Sequence, residues 1–182
     1  MSTRTLDAEL FGRETQFDYS ETWVGYALVA LRLVMAWVFL QAGLEKLLAG
    51  NWTAAGFLEN AVPPGNPLSG VWGSLAGAGW VDPLVIYGQL AIGLALLVGA
   101  AVRLAAFFGA LQMALFWAAS LQGGLMAGLP IEHGYAVSSH TVYAILLFGL
   151  GAFGAGRILG LDRRIEQSEF VQNNRWLRLF LG

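Results

Sequence analysis

The sequence contains no cysteine. No disulfide, thiolate nucleophile, cysteine-ligated iron–sulfur cluster or cysteine zinc site can therefore belong to this chain. Any redox chemistry must use a bound cofactor or take place on a partner. Charge is also scarce: 12% of the 182 residues are charged, against roughly 25% in soluble domains. The net charge of −2 lacks the basic footprint of a nucleic-acid binder. Two histidines make a poor haem or metal site without carboxylate help, and no metal is expected. No internal repeat is visible, so the inverted repeats of a transporter have no counterpart here. The polar, acidic first twenty residues lack the basic-then-apolar order of a cleavable signal peptide.

What the chain has in abundance is apolar surface, at 57% hydrophobic residues. The charges collect in the first 21 residues, the last 26 and a few interior positions. A soluble protein of this length could not hide so much apolar surface, whereas a bilayer supplies an apolar solvent for it. The expected fold is all-α: an integral membrane antiparallel four-helix bundle with an external loop containing a short interfacial helix. Three regions follow: an N-terminal arm at 1–22, a transmembrane domain at 23–158, and an amphipathic tail at 159–182 whose end looks like an interfacial helix.

The first span is expected from Trp23 to about Leu48, longer than the ~20 residues that cross a bilayer. The loop at 50–82 carries Trp52, Phe57, Trp72 and Trp80, with prolines as turn punctuation. Tryptophans at the edges of apolar segments favour the headgroup layer, so this loop reads as a lid on the membrane surface. Asn51 is positioned to cap a short helix within it, from Trp52 to Glu59. Asp82-Pro83 opens the second span with a capping residue before a proline. This span runs to about Val102, Arg103 marks a tight turn, and the third runs from Leu104 to about Met126. A short loop at 128–134 precedes a fourth span from Val137 to Phe153, which Gly154 and Gly156 end.

Arginine placement predicts orientation. Arg4 and Arg13 precede the first span, Arg103 lies between the second and third, and five arginines follow the fourth. The loops at 50–82 and 128–135 contain no lysine or arginine. By the positive-inside rule, both termini are expected in the cytoplasm.

Ionisable residues at mid-bilayer are costly unless sheltered, so their helical phase is informative. At 100° per residue, Arg32, Ala36, Phe39, Gly43 and Lys46 form one stripe. Gln89, Gly93, Leu96, Ala100 and Arg103 form a second, and His140, Ala144, Leu147, Gly151 and Gly154 a third. Each mixes a polar group with small residues, which let helix backbones approach closely. The three faces are expected to turn inward. Lys46, Gln89 and His140 fall at similar depth in the outer half, with Gln41, Glu45, Trp117 and Tyr143 as neighbours. A cation, an amide, an imidazole and aromatics beside an apolar interior suit a lipophilic ligand with a polar head, such as a quinone. His140 is the candidate catalytic group, since imidazole exchanges protons near neutral pH. Lys46, Gln89, Glu45 and Tyr143 are candidate binding groups.

Each residue also has a plainer reading. Lys46 can snorkel to headgroups and pair with Glu45. Gln89 can hydrogen-bond across helices, and a helix-end histidine can be structural. His133 reads as solvated. Arg32, Gly43 and Arg103 are assigned structural roles. Arg157 and Asp162 are expected to pair with each other.

Three segments resemble a known family. "LRLVMAWVFLQAGLEKL" is similar to the first-helix signature of the DoxX/DoxD family of small membrane proteins, here Arg32, Phe39, Gly43 and Lys46. "YGQLAIGLALLVGAAVRLAA" resembles the second signature. "HTVYAILLFGLGAFGAGRILGLD" resembles the closing one, with His140, Tyr143, Gly156, Arg157 and Asp162. Many relatives carry glutamate at the position of Gln89, and an amide has no titratable proton to move. The resemblance implies a four-helix protein of a prokaryotic cell membrane. It also implies a subunit like those of thiosulfate:quinone oxidoreductases, with quinone as the possible cofactor. Other relatives resemble membrane partners of sulfurtransferase or superoxide-dismutase systems. Two functions stay open: a quinone-linked redox subunit working with a partner protein or as a homo-oligomer, and a non-catalytic subunit that anchors or stabilises a larger complex. A small carrier or lipid-binding protein is a third.

Overall fold

In the computed structural model, residues 3–121 and 137–182 are described. The loop at 128–134, His133 and the end of the third expected span lie outside them. The chain opens with an antiparallel hairpin, β1 (Thr3–Leu10) and β2 (Arg13–Ser20), which corrects the all-α expectation. Phe11 and Gly12 form its two-residue turn, both at positive φ (52° and 75°). This backbone matches the twist of paired strands. Thr5 Oγ1 donates to Asp18 Oδ1 at 2.6 Å, and Gln16 to Asp7 at 2.8 Å. Polar side chains thus lock the register where no core does. Arg4 and Glu21 form a 2.5 Å ion pair that ties the hairpin to the next element.

Helix α1 covers Glu21–Ala49, with Ser20 as its N-cap and Gly50 in the left-handed conformation at its end. Two short helices follow, α2 (Ala55–Asn60) and α3 (Ser69–Ala76). Then come α4 (Val81–Val98), α5 (Val102–Ala119) and α6 (Ser139–Ala152). The expected tight turn lies at Gly99–Ala101, and Arg103 stands inside the first turn of α5. Asp82 makes no cap for α4, because that helix starts one residue earlier at Val81.

α1 packs on α4, α4 on α5, α5 on α6 and α6 on α1. The glycines fix the spacing. A Cβ added at Gly43 would lie 2.9 Å from Leu90, and one at Gly93 would lie 2.7 Å from Leu40. Numbers rise along α1 as they fall along α4, so the two helices run antiparallel. The core they share with α5 and α6 centres on Met35, Phe39, Leu96, Val102, Leu147 and Leu150.

Among the described residues α1, α4 and α5 are long and apolar enough to cross a membrane, with mean hydropathy 1.9, 1.9 and 1.5. Only about a third of each is buried inside the protein (33%, 28% and 33%). Their outward residues, such as Trp37, Leu94 and Phe107, are apolar too. Such faces require an apolar solvent, so the chain is a multi-pass membrane protein. α6 has 14 residues, about 21 Å at 1.5 Å per residue.

Beyond α6 the chain folds back under the helices through a short 3-10 turn (Ala155–Arg157), α7 (Asp162–Glu166) and α8 (Glu169–Asn173). The expected interfacial helix at the end is instead a 3-10 turn, Arg175–Leu179. Leu181 and Gly182 are buried beneath α5 and α6. There the Gly156 amide donates to the Gly182 carbonyl, and the Leu104 amide donates to Phe180.

Candidate functional site

The two ends of the helix packing hold different chemistry. At one end Arg32 is buried, and its guanidinium donates to the carbonyls of Ala155 (2.6 Å), Ile158 (2.9 Å) and Leu159 (3.3 Å). Gly99 and Gly160 leave the room it occupies, since a Cβ at either would lie 2.9 Å from it. Asp162, fully buried, accepts from the amides of Ala101 (2.6 Å), Val102 (3.0 Å) and Gly182 (3.0 Å). Its charge faces the start of α5, where unpaired amides and the helix dipole favour an anion. The expected Arg157–Asp162 pair is therefore not formed. Arg157 grips Glu166 instead, with Nη2–Oε1 at 2.6 Å and Nε–Oε1 at 3.0 Å. Arg103 donates to Gly151 at 3.2 Å. The groups at this end bond the backbone or one another, a pattern that holds a chain terminus in place.

The opposite end carries an open chamber. Residues 50–80 fold over α4 and α5 as a lid. Asn66 joins the two: its amide nitrogen donates to the carbonyls of Ala118 (2.9 Å), Ala119 (3.2 Å) and Leu121 (2.9 Å). Its oxygen accepts from Leu68 N (2.8 Å) and Trp72 Nε1 (3.2 Å). The start of α2 is held by Asp82, which accepts from Ala54 N at 2.7 Å, and by Thr53, which accepts from Ala55 N at 3.2 Å. The expected Asn51 cap is corrected accordingly, since α2 begins at Ala55 rather than Trp52.

Between lid and helices lies a cavity of about 460 Å³. Trp52, Phe57, Trp72 and Trp80 form its lid side, and Leu84, Leu115 and Phe116 its helix side. The charged group in the wall is Lys46, whose Nζ donates to Ala42 O at 3.0 Å and sits 5.4 Å from the centre of the Trp52 ring. A desolvated ammonium over an indole face is a cation–π contact, and Nζ keeps donors to spare. An apolar chamber with aromatic walls and one cation suits a ligand with an apolar body and a hydrogen-bond acceptor or negative charge at one point.

The other candidate residues stand around this chamber rather than in its wall. His140 meets Phe116 edge-on, ring centres 5.9 Å apart, so a wall residue separates it from the cavity. Tyr143 is partly buried against the core. Glu45 accepts from Gln41 at 2.9 Å. Gln89 is buried one turn from Gly93, and its Oε1 has no hydrogen-bond partner. Asn66 and Gln112 were not legible as site residues. Gln112 lines a second cavity of about 300 Å³ between α4 and α5, and its Oε1 is buried without a partner. Among the described residues no group of three or more acidic or histidine side chains could hold a metal.

Helix composition and packing thus define a multi-pass helical membrane protein. The chain belongs to the DoxX family, whose model matches residues 27–121. That stretch contains all but the first six residues of α1, the lid, α4 and α5, and every residue lining the 460 Å³ cavity. No curated protein and no solved structure matches the chain.

Proposed function

We propose that the chain is a quinone-binding membrane subunit of a redox system that oxidises a small sulfur anion. The observation that carries this reading is the cavity: tryptophan and phenylalanine walls for a flat ring, with Lys46 as a donor for a ring carbonyl. A bound quinone would supply the acceptor for two electrons and two protons. The electrons would come from the sulfur anion on a partner subunit. The chain's own part is to bind, orient and shield the head from water. Lys46 bonds the carbonyl, and Glu45, which accepts from Gln41, is its neighbour on α1 outside the wall. Gln89 and Gln112, whose buried oxygens have no partner, lie outside the chamber wall, Gln112 in the adjoining cavity between α4 and α5. His140 stands behind Phe116, with Tyr143 near it on α6, and would exchange protons with the chamber only through a water admitted past the Phe116 ring. In this reading α6 is the fourth span and both termini lie in the cytoplasm.

The test uses the full chain in lipid nanodiscs. A short-chain benzoquinone should quench the fluorescence of the chamber tryptophans, and Lys46→Ala should weaken its binding about tenfold, one lost charge-assisted hydrogen bond. In the complex with its partner, His140→Ala should slow quinone-dependent turnover while thermal stability stays as in the wild type. Absence of quinone binding to the wild-type chain, or specific activity unchanged in both variants, rules the site out.

A further inference from the structure

The chamber does not end at Phe116. Leu84, Val85, Leu115 and Phe116 line both it and the 300 Å³ cavity between α4 and α5. The second space continues along α4 past Gly88 and Ala91 to Ile92. From Leu84 to Ile92 the helix rises about 12 Å. Small residues make the floor of this groove, and a Cβ at Gly88 would meet nothing within 4 Å. Its rim is exposed and apolar, with Leu84, Phe108 and Leu115 on the surface that faces lipid. A space that begins at a charged, aromatic chamber and runs on as an apolar furrow open to the bilayer has the shape of a single-chain amphiphile.

We propose that the α4–α5 groove holds the hydrocarbon tail of the ligand whose head occupies the Lys46 chamber, and that the ligand reaches the chamber sideways from the bilayer. The inference rests on the proposed function for the identity of the head but not for the tail. An alkyl or isoprenoid chain fits the groove equally, because apart from Gln112 its walls are apolar and offer dispersion contact and area burial. Lateral access follows from the exposed rim: a chain-bearing ligand never has to bring its tail through water.

Gly88→Phe tests this: its Cβ meets nothing within 4 Å, Gly88 itself lines the groove, and a melting curve beside each titration checks that the helix packing is kept. The full chain in nanodiscs is titrated with three probes: a decyl-tailed benzoquinone, the same quinone without the tail, and decyl phosphate. Gly88→Phe should weaken the decyl quinone by about tenfold or more, the affinity of roughly two methylenes excluded from the groove. It should leave the tail-less quinone within about twofold, a difference that the decade-per-1.4-kcal scale makes negligible. Gly88→Ala should behave as wild type. If wild type binds decyl phosphate and neither quinone, and Gly88→Phe weakens that binding, the tail groove stands and the quinone reading falls. If Gly88→Phe leaves the affinity of every chain-bearing probe unchanged while its thermal stability matches wild type, the groove is not the tail site.

Discussion

Asn66 takes the indole N–H of Trp72 on its oxygen and gives its own N–H groups to the carbonyls of Ala118 and Ala119 at the end of α5 and of Leu121 just beyond it. One side chain thus closes the end of a helix and fixes the wall of the chamber. The last carbonyls of a helix have no partner within it, and here they are buried under the lid. Asn66→Ala would take this partner from the Ala119 and Leu121 carbonyls and from the Trp72 N–H. Each unsatisfied buried group costs about 1–3 kcal/mol, so a loss of about 3 kcal/mol is expected, with faster proteolysis between residues 50 and 80. Asn66→Asp keeps the acceptor but sets a carboxylate against carbonyl oxygens, and should be at least as damaging. Melting curves in detergent check both, and a wild-type curve for Asn66→Asp would refute the arrangement.

Asp162 makes the matching argument at the other end. Its two oxygens serve the amides of Ala101, Val102 and Gly182. Asp162→Asn replaces one acceptor with an NH₂ that must face an N–H. Hydrogen bonds to charged groups contribute about 1.5–3 kcal/mol, so about 2 kcal/mol should be lost, and more in Asp162→Ala. The C-terminal segment should also become a better protease substrate, since its Gly182 anchor is gone. Equal stability of the Asp and Asn forms would show that the charge has no part in holding this end.

The helices and their inward stripes could be read from the sequence because a bilayer permits few alternatives: long apolar runs must be helical, Arg32 must find shelter, and Gly43 and Gly93 let helices approach closely. The hairpin could not. Leu6 pairs with Phe17, but the pairs beside it, Thr5 with Asp18 and Asp7 with Gln16, are polar and Ala8 faces Thr15, so the alternation that marks a strand is weak and short, and Phe11 is an unusual residue for a positive-φ turn. Asp162 was misread because Arg157 is near in sequence. Its actual partners are the start of α5 and the end of the chain, brought together only by the fold. Asn66, between Gly65 and Pro67, looks like turn punctuation. Nothing local says that Ala118 to Leu121 arrive beside it. The Lys46 chamber was half legible: the cation and the tryptophans were visible, but the distribution of residues between wall and surroundings was not.

Arg157 and Glu166 give a pH prediction. Hydrogen bonding to Arg157 holds the Glu166 carboxyl below its usual value and raises Arg157. A carboxyl whose folded value is depressed adds stability that is complete above the unfolded value, near 4.3. That stability is lost as pH falls through the folded value. The pair is partly exposed (41% and 19%), so screening keeps its contribution under about 1 kcal/mol and sensitive to salt. Wild type and Glu166→Gln should differ at pH 7 and converge as the pH drops below about 4. A difference that persists unchanged at low pH would mean that the pair contributes through packing rather than charge.

Two glycines on one helix should respond in opposite ways to the same change. At Gly93 a new Cβ would lie 2.7 Å from Leu40 Cγ and 2.8 Å from the Leu40 backbone nitrogen. The nitrogen belongs to α1 and cannot rotate away, so α1 and α4 must separate. Overpacking of this kind costs about 1–3 kcal/mol, and the separation should also loosen Gln89, one turn along the same face. At Gly88 the same methyl enters open space and gains only the higher helix propensity of alanine, up to about 1 kcal/mol. Gly93→Ala should therefore melt several degrees below wild type in detergent, and Gly88→Ala at or slightly above it. Because both sites lie on α4 within five residues, differences in membrane depth and detergent contact largely cancel. A Gly93→Ala protein as stable as Gly88→Ala would mean that α1 and α4 are not held at the close spacing on which the Lys46 chamber is built.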